Sequence, residues 1–176
     1  MHFYDKRVAF LISDQHFIPH GGIGSFCKSF CEMAEDLNWA VDIVMDKQPR
    51  NQTLKDHLTQ SDHQIYWPQN PVKDSEHTNT FAFSDGFNFE RTLNFRKAIM
   101  RMLEHAIPDI IIVNTPEAGY AAYDLNLAKH VPLIYYTHNE NFIFLDVKQS
   151  KVFNEAFNEI GKRIMTYENV IVGTQT

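Results

Sequence analysis

The stretch that decides the fold runs from Val8-Ala9-Phe10-Leu11-Ile12, through Ser13-Asp14-Gln15-His16-Phe17-Ile18-Pro19-His20, to Gly21-Gly22-Ile23-Gly24. Consecutive apolar residues read as a strand covered on both faces, because a strand with one wet face alternates apolar and polar positions. Beyond the glycines, Ile23, Phe26, Cys27, Phe30, Ala34 and Leu37 fall on one stripe at the 3.6-residue period, with Lys28, Glu32, Glu35 and Asp36 mostly off it. A doubly covered strand leading through a glycine loop into an amphipathic helix is the first unit of an α/β fold.

The alternation continues along the chain. Further strands are expected at Ala40 to Met45, Gln64 to Trp67, Ile110 to Val113, Leu133 to Tyr136 and Val170 to Val172, making six in all. Helical stripes recur at Phe95, Ile99, Met102, Leu103 and Ala106 before Pro108, and at Ala118, Ala121, Ala122, Leu125 and Ala128 before Pro132. Another comprises Phe153, Ala156, Phe157, Ile160 and Ile164, and a weaker helix is expected around Thr53 to Leu58. Right-handed crossovers then give a Rossmann-like, doubly wound parallel sheet ordered 3-2-1-4-5-6, with helices on both faces. Residues 1–176 are expected to form one domain, with a flexible, functional or mobile loop at about 68–88, where Pro68, Pro71 and Gly86 interrupt any period.

Composition excludes several classes. With 44% hydrophobic and 13% aromatic residues among 176, the chain has too much core material for a disordered tail or a rod. Sixteen Lys and Arg against 22 Asp and Glu leave a net charge of -6 with the basic residues scattered, so non-specific nucleic-acid binding is not expected. No apolar run near the start reaches signal-peptide or membrane-span length, and a cytoplasmic protein without a membrane span is expected. Cys27 and Cys31 are the only cysteines, which removes a disulfide scaffold. Their spacing suits a metal, but they lie on the apolar stripe and are expected in the core, with no metal bound.

In a sheet of this kind ligands bind outside the carboxyl ends of the strands, where strand order reverses. That rule selects the loop from Ser13 to Gly24, the segment Asn114-Thr115-Pro116-Glu117-Ala118-Gly119 and the segment Thr137-His138-Asn139-Glu140-Asn141. Gly21, Gly22 and Gly24 enter a helix whose first amides are free to hold an anion, although a glycine turn that only starts a helix reads the same way. His138, among hydrogen-bonding side chains, suits binding of a sugar hydroxyl, charge stabilisation or a proton shuttle, or is simply a solvated rim residue. Glu117 fits either a ligand contact or the ordinary preference for acids in a first helical turn. His16 and His20 share one loop and suit acceptor contacts. No HExxH, GxSxG or Walker pattern occurs, which removes metalloprotease, esterase and P-loop readings.

Taken in order, these segments resemble a known family. Gly21-Gly22-Ile23-Gly24-Ser25-Phe26 opening a helix, followed by Leu37-Asn38-Trp39-Ala40-Val41-Asp42-Ile43-Val44, is similar to the start of glycogen-synthase-like glycosyltransferases of the GT-B fold (glycosyltransferase family 4-like). Pro108-Asp109-Ile110-Ile111-Ile112-Val113-Asn114, Pro132-Leu133-Ile134-Tyr135-Tyr136-Thr137-His138-Asn139 and Val170-Ile171-Val172-Gly173-Thr174 resemble three later strands of that family's N-terminal half.

The resemblance implies a retaining, hexosyltransferase-like enzyme that moves a sugar from a nucleotide-sugar such as UDP- or ADP-glucose to an acceptor hydroxyl. This chain would be one half of the GT-B fold and contribute the acceptor wall. The nucleotide-sugar would lie on a second, C-terminal domain. The family's donor-binding lysine or arginine and its paired-glutamate element have no counterpart in these residues, so the chain alone is expected to be inactive. Matched position by position, the resemblance makes His138 the catalytic histidine. It places Gly21, Gly22, Gly24, His20, Glu117, Asn139 and Glu140 around the substrates. No Asp-x-Asp triplet is present, and no metal or other cofactor is expected.

Two other readings compete. One is a dinucleotide- or S-adenosylmethionine-binding Rossmann domain, in which Asp46 at the end of the second strand would take the ribose. The long loop from Asp14 to Gly21, and Cys27 at the third glycine position, weigh against it. The other is a non-catalytic half-domain that binds a glycan or a partner.

Overall fold

The computed structural model describes residues 3–18, 21–59, 63–73, 89–137 and 170–174. Along the chain these form β1 (Lys6–Ile12), a 3-10 turn (Asp14–His16), α1 (Gly22–Asp36), β2 (Trp39–Met45), α2 (Gln52–Thr59) and β3 (Gln64–Tyr66). There follow α3 (Phe89–Leu103), β4 (Ile110–Val113), α4 (Pro116–Asp124), a second 3-10 turn (Leu127–Lys129), β5 (Leu133–Thr137) and β6 (Val170–Thr174). The six strands make one sheet in the order β3-β2-β1-β4-β5-β6, parallel throughout, as the crossover rule predicts.

The continuous apolar run of β1 is explained by its place between two helical layers. Val8, Phe10 and Ile12 point to one face, where they join Ile23, Cys27, Cys31 and Ala34 of α1 and Leu54 and Leu58 of α2. Ala9 and Leu11 point to the other, against Phe95, Ala98, Ile99 and Met102 of α3 and Ala118, Ala121 and Ala122 of α4. The Phe10 ring lies 5.8 Å from that of Phe26 and 5.6 Å from that of Phe30, so α1 docks on the sheet through an aromatic cluster. Both cysteines are free and fully buried in this layer, as the stripe predicts. The hydrogen bond with Cys31, and then burial, push the Cys27 thiol up, which disfavours a reactive thiolate.

Three helix ends differ from the periodic reading. Leu37 lies past the end of α1 and is 45% exposed, because Asn38 takes a left-handed backbone (φ 57°) and ends the helix. Leu125 lies past the end of α4: Asn126 is also left-handed (φ 57°), and the chain resumes in the 3-10 turn that buries Ala128. Ala106 follows the last residue of α3. An asparagine in that conformation leaves the hydrophobic spacing intact while the helix stops, so periodicity alone runs past it. The helix expected from Phe153 to Ile164 lies outside the described residues.

Within the expected loop at 68–88, the described part is fastened to α3. The fully buried Asn94 accepts the Val72 N–H at 2.7 Å and donates to the Val72 carbonyl at 3.0 Å, as a neighbouring strand would. Lys97 Nζ donates to the Asn70 carbonyl at 2.8 Å, and the Arg101 guanidinium donates to the Trp67 carbonyl. Residues 74–88 lie outside the described residues. Among the described residues, no helix is long and apolar enough to cross a membrane.

Candidate functional site

Parallel strands bring all their carboxyl ends to one edge, and the polar residues that follow β1, β2 and β4 meet there. Asp46, directly after β2, is buried beside the 3-10 turn that follows β1. Its Oδ1 accepts the Asp14 backbone N–H at 2.8 Å and its Oδ2 accepts the Ser13 hydroxyl at 3.3 Å. Asp14 is in turn held by Arg50 in the loop after β2. The Arg50 backbone N–H reaches Asp14 Oδ1 at 3.0 Å, and its Nε reaches Oδ2 at 2.5 Å. Burial pushes the Asp46 carboxyl above the ordinary carboxylate value, opposed by the Asp14 N–H and by the charges of Arg91 and Lys47.

Arg91, in the first turn of α3, joins this network to the far side of β1. Its Nε lies 3.4 Å from Asp46 Oδ2, its Nη1 3.5 Å from Glu117 Oε1 and its Nη2 3.4 Å from Gln15 Oε1. One guanidinium thus spans groups that follow β1, β2 and β4, with only 17% of its side chain exposed. Glu117 lies in the first turn of α4, whose N-cap Thr115 accepts the Ala118 N–H at 3.3 Å. Burial, with the Glu117 charge adding to it, pushes the Tyr135 hydroxyl well above its ordinary value. Beside Thr115, Asn114 is 9% exposed, and among the described residues neither its Oδ1 nor its Nδ2 has a partner. An amide left unpaired in this way costs on the order of 1–3 kcal/mol.

The three glycines play different structural parts. Gly21 is the N-cap of α1 and, having no side chain, makes no side-chain cap bond to the first amides of the helix. A Cβ on Gly24 would lie 1.8 Å from the Ile18 carbonyl oxygen, so that glycine lets the loop after β1 fold across the first turn of the helix. Among the described residues, a Cβ on Gly22 would meet nothing within 4 Å.

The structure brings Gly21, Gly22, Gly24 and Glu117 to the carboxyl edge of the sheet. His20, His138, Asn139 and Glu140 lie outside the described residues, beyond β1 and β5 respectively. Asp46, which would bind ribose in a dinucleotide-binding domain, has both oxygens engaged by Asp14, Ser13 and Arg91, which weighs against that reading. The sequence reading did not single out Arg50 or Arg91. The one local sign of Arg91 is a cation in the first turn of a helix, where the dipole favours an anion. A pairing partner compensates for that, and here it has two carboxylates.

Neither the models of known protein families nor the curated protein sequences contain a match to this chain. Solved structures do. Sucrose-phosphate synthase from Thermosynechococcus elongatus superposes with a TM-score of 0.54 at 11% identity, over 96% of this chain and 47% of that one. The glycotransferase of kitacinnamycin gives 0.46 at 13% identity, over 95% of this chain and 46% of that one. The chain thus spans about half the length of these two solved chains. At this identity the likeness is one of fold: the chain shares with part of that synthase a Rossmann-like, parallel α/β architecture.

Proposed function

We propose that this chain is the acceptor-side half of a retaining glycosyltransferase that moves a hexose from a nucleotide-sugar, such as UDP- or ADP-glucose, to an acceptor hydroxyl. The observation that carries this reading is the polar edge. Arg91 ties together the ends of three strands beside an uncapped, glycine-opened helix, on a fold shared with a sucrose-phosphate synthase. A second domain holds the donor, and the cleft forms between the two. The acceptor hydroxyl attacks the anomeric carbon on the side the phosphate leaves, and the bond to the diphosphate breaks as the glycosidic bond forms. Positioning and neutralisation of the departing diphosphate supply the catalysis, without a metal. His138 is the catalytic residue beside the transferred sugar. Gly21, Gly22, Gly24 and His20 lie along the donor phosphates and the acceptor, with Glu117, Asn139 and Glu140 completing the wall.

The test is sugar transfer from radiolabelled UDP-glucose and ADP-glucose, measured with this chain alone and with the complete gene product that contains it. The chain alone is expected to be inactive and the complete protein active. His138→Ala in the complete protein is expected to lower turnover by about 100-fold or more. Robust turnover by the chain alone refutes the half-enzyme reading, and an unchanged rate removes His138 from the reaction.

A further inference from the structure

The amide of Asn114 is the one buried side chain among the described residues whose donor and acceptor both lack a partner. The fold neighbours of Asn114 sharpen the point. Thr115 has a structural duty as the α4 cap, Glu117 faces Arg91, and Ser13 and Asp14 serve Asp46. Asn114 alone has no such duty. It directly follows β4, which pairs with β1 through Leu11 and Val113. The crossovers leaving β1 and β4 run to opposite faces of the sheet, so Asn114 stands at the point where strand order reverses. Natural cores seldom leave such a group unpaired, and where they do, a ligand or a water completes it.

We infer that Asn114 is the group that reads a hydroxyl of a neutral polyol acceptor, donating from Nδ2 and accepting at Oδ1. The inference rests on the glycosyltransferase reading and narrows its acceptor. A hydroxyl, or two adjacent hydroxyls, both accepts and donates and so completes both atoms of the amide. A carboxylate has no proton to give Oδ1 and would leave that atom unpaired, and phosphate, even with a P–OH donor, brings a charge that an uncharged, solvent-shielded amide does not balance. Both atoms are shielded from solvent, so binding of the hydroxyl is coupled to a local opening.

The test uses the chain itself, with the Asn114 side-chain amide and the Thr115 backbone amide followed by NMR. Myo-inositol and D-glucose are titrated in, and inorganic phosphate serves as the anionic probe. Asn114→Leu removes both polar atoms at similar volume, and Asn114→Ala guards against a misfit of the larger side chain. The expected result is that the polyols, and not phosphate, shift the Asn114 amide. At least one variant should match or exceed the wild-type urea midpoint while its polyol affinity falls by about tenfold or more. The inference is overturned if phosphate alone shifts the amide, if no polyol does, or if both variants lose stability and keep wild-type polyol affinity. Should the complete protein transfer sugar equally well with Asn114→Leu, this inference fails and the transferase reading stands. Should polyol binding depend on Asn114 in a protein that transfers nothing, the reverse holds.

Discussion

Arg91 Nε lies 3.4 Å from Asp46 Oδ2, and this contact joins the first turn of α3 to the end of β2. The same guanidinium faces Glu117, so its removal takes a countercharge from two buried carboxylates. Arg91→Met is expected to destabilise the fold by about 3 kcal/mol, read from urea unfolding. Arg91→Lys should recover only part of that, because a single ammonium cannot span three acceptors as the planar fork does. A loss no larger than that of an exposed arginine would show the network to be incidental.

Asp46 gives the fold a pH dependence of definite sign. Its carboxyl titrates above its ordinary value of 3.8 in the folded chain, with burial as the main cause. Between that ordinary value and the raised one, the folded state binds more protons than the unfolded state, so the group withdraws stability as pH rises. The stability of the wild type minus that of Asp46→Asn should therefore grow as pH is lowered from 7 towards 4. Urea midpoints at several pH values check this, and a difference that grows with rising pH would contradict it.

Gly22 and Gly24 should respond oppositely to alanine. Gly22→Ala meets open space at the start of a helix and is expected to leave stability unchanged or raise it by about 0.5 kcal/mol. Gly24→Ala drives a methyl group into the Ile18 carbonyl and should lower the melting temperature markedly. In the complete protein, Gly22→Ala is expected to cut transfer despite its intact fold. Thermal unfolding and the transfer assay together separate the two glycines.

Asn94→Leu should release the segment after β3. It leaves the Val72 N–H and carbonyl without their partner, at a cost of about 2 kcal/mol. Faster hydrogen exchange at the Val72 amide, with the β1 amides unchanged, is the expected signature.

The sheet was legible because several strands, β1 and β4 above all, are apolar on consecutive residues, and burial on both faces demands that pattern. Strand order followed from handedness once the helices between the strands were read. The ends of α1 and α4 were not legible, since Asn38 and Asn126 stop the helices through backbone conformation without disturbing the apolar spacing. The network at the carboxyl edge was not legible either. Asp14 with Arg50 and Gln15 with Arg91 are 36 and 76 residues apart, and nothing local announces such pairs. Asp46 shows the cost of reading position alone, because a carboxylate placed to hold a ribose is occupied by its own chain. Asn114 is the opposite case, an ordinary residue in the sequence that only burial singles out.

The anchoring of Trp67, Asn70 and Val72 onto α3 has a consequence for how this architecture tolerates change. The chain departs from a moored base at Lys73 and returns at Phe89 to the helix that provides the moorings. Closing a longer excursion between two fixed posts costs only about 0.6 kcal/mol for each doubling of its length. A change of length between those posts therefore carries only a small closure cost, set by the logarithm of the span and not by its length.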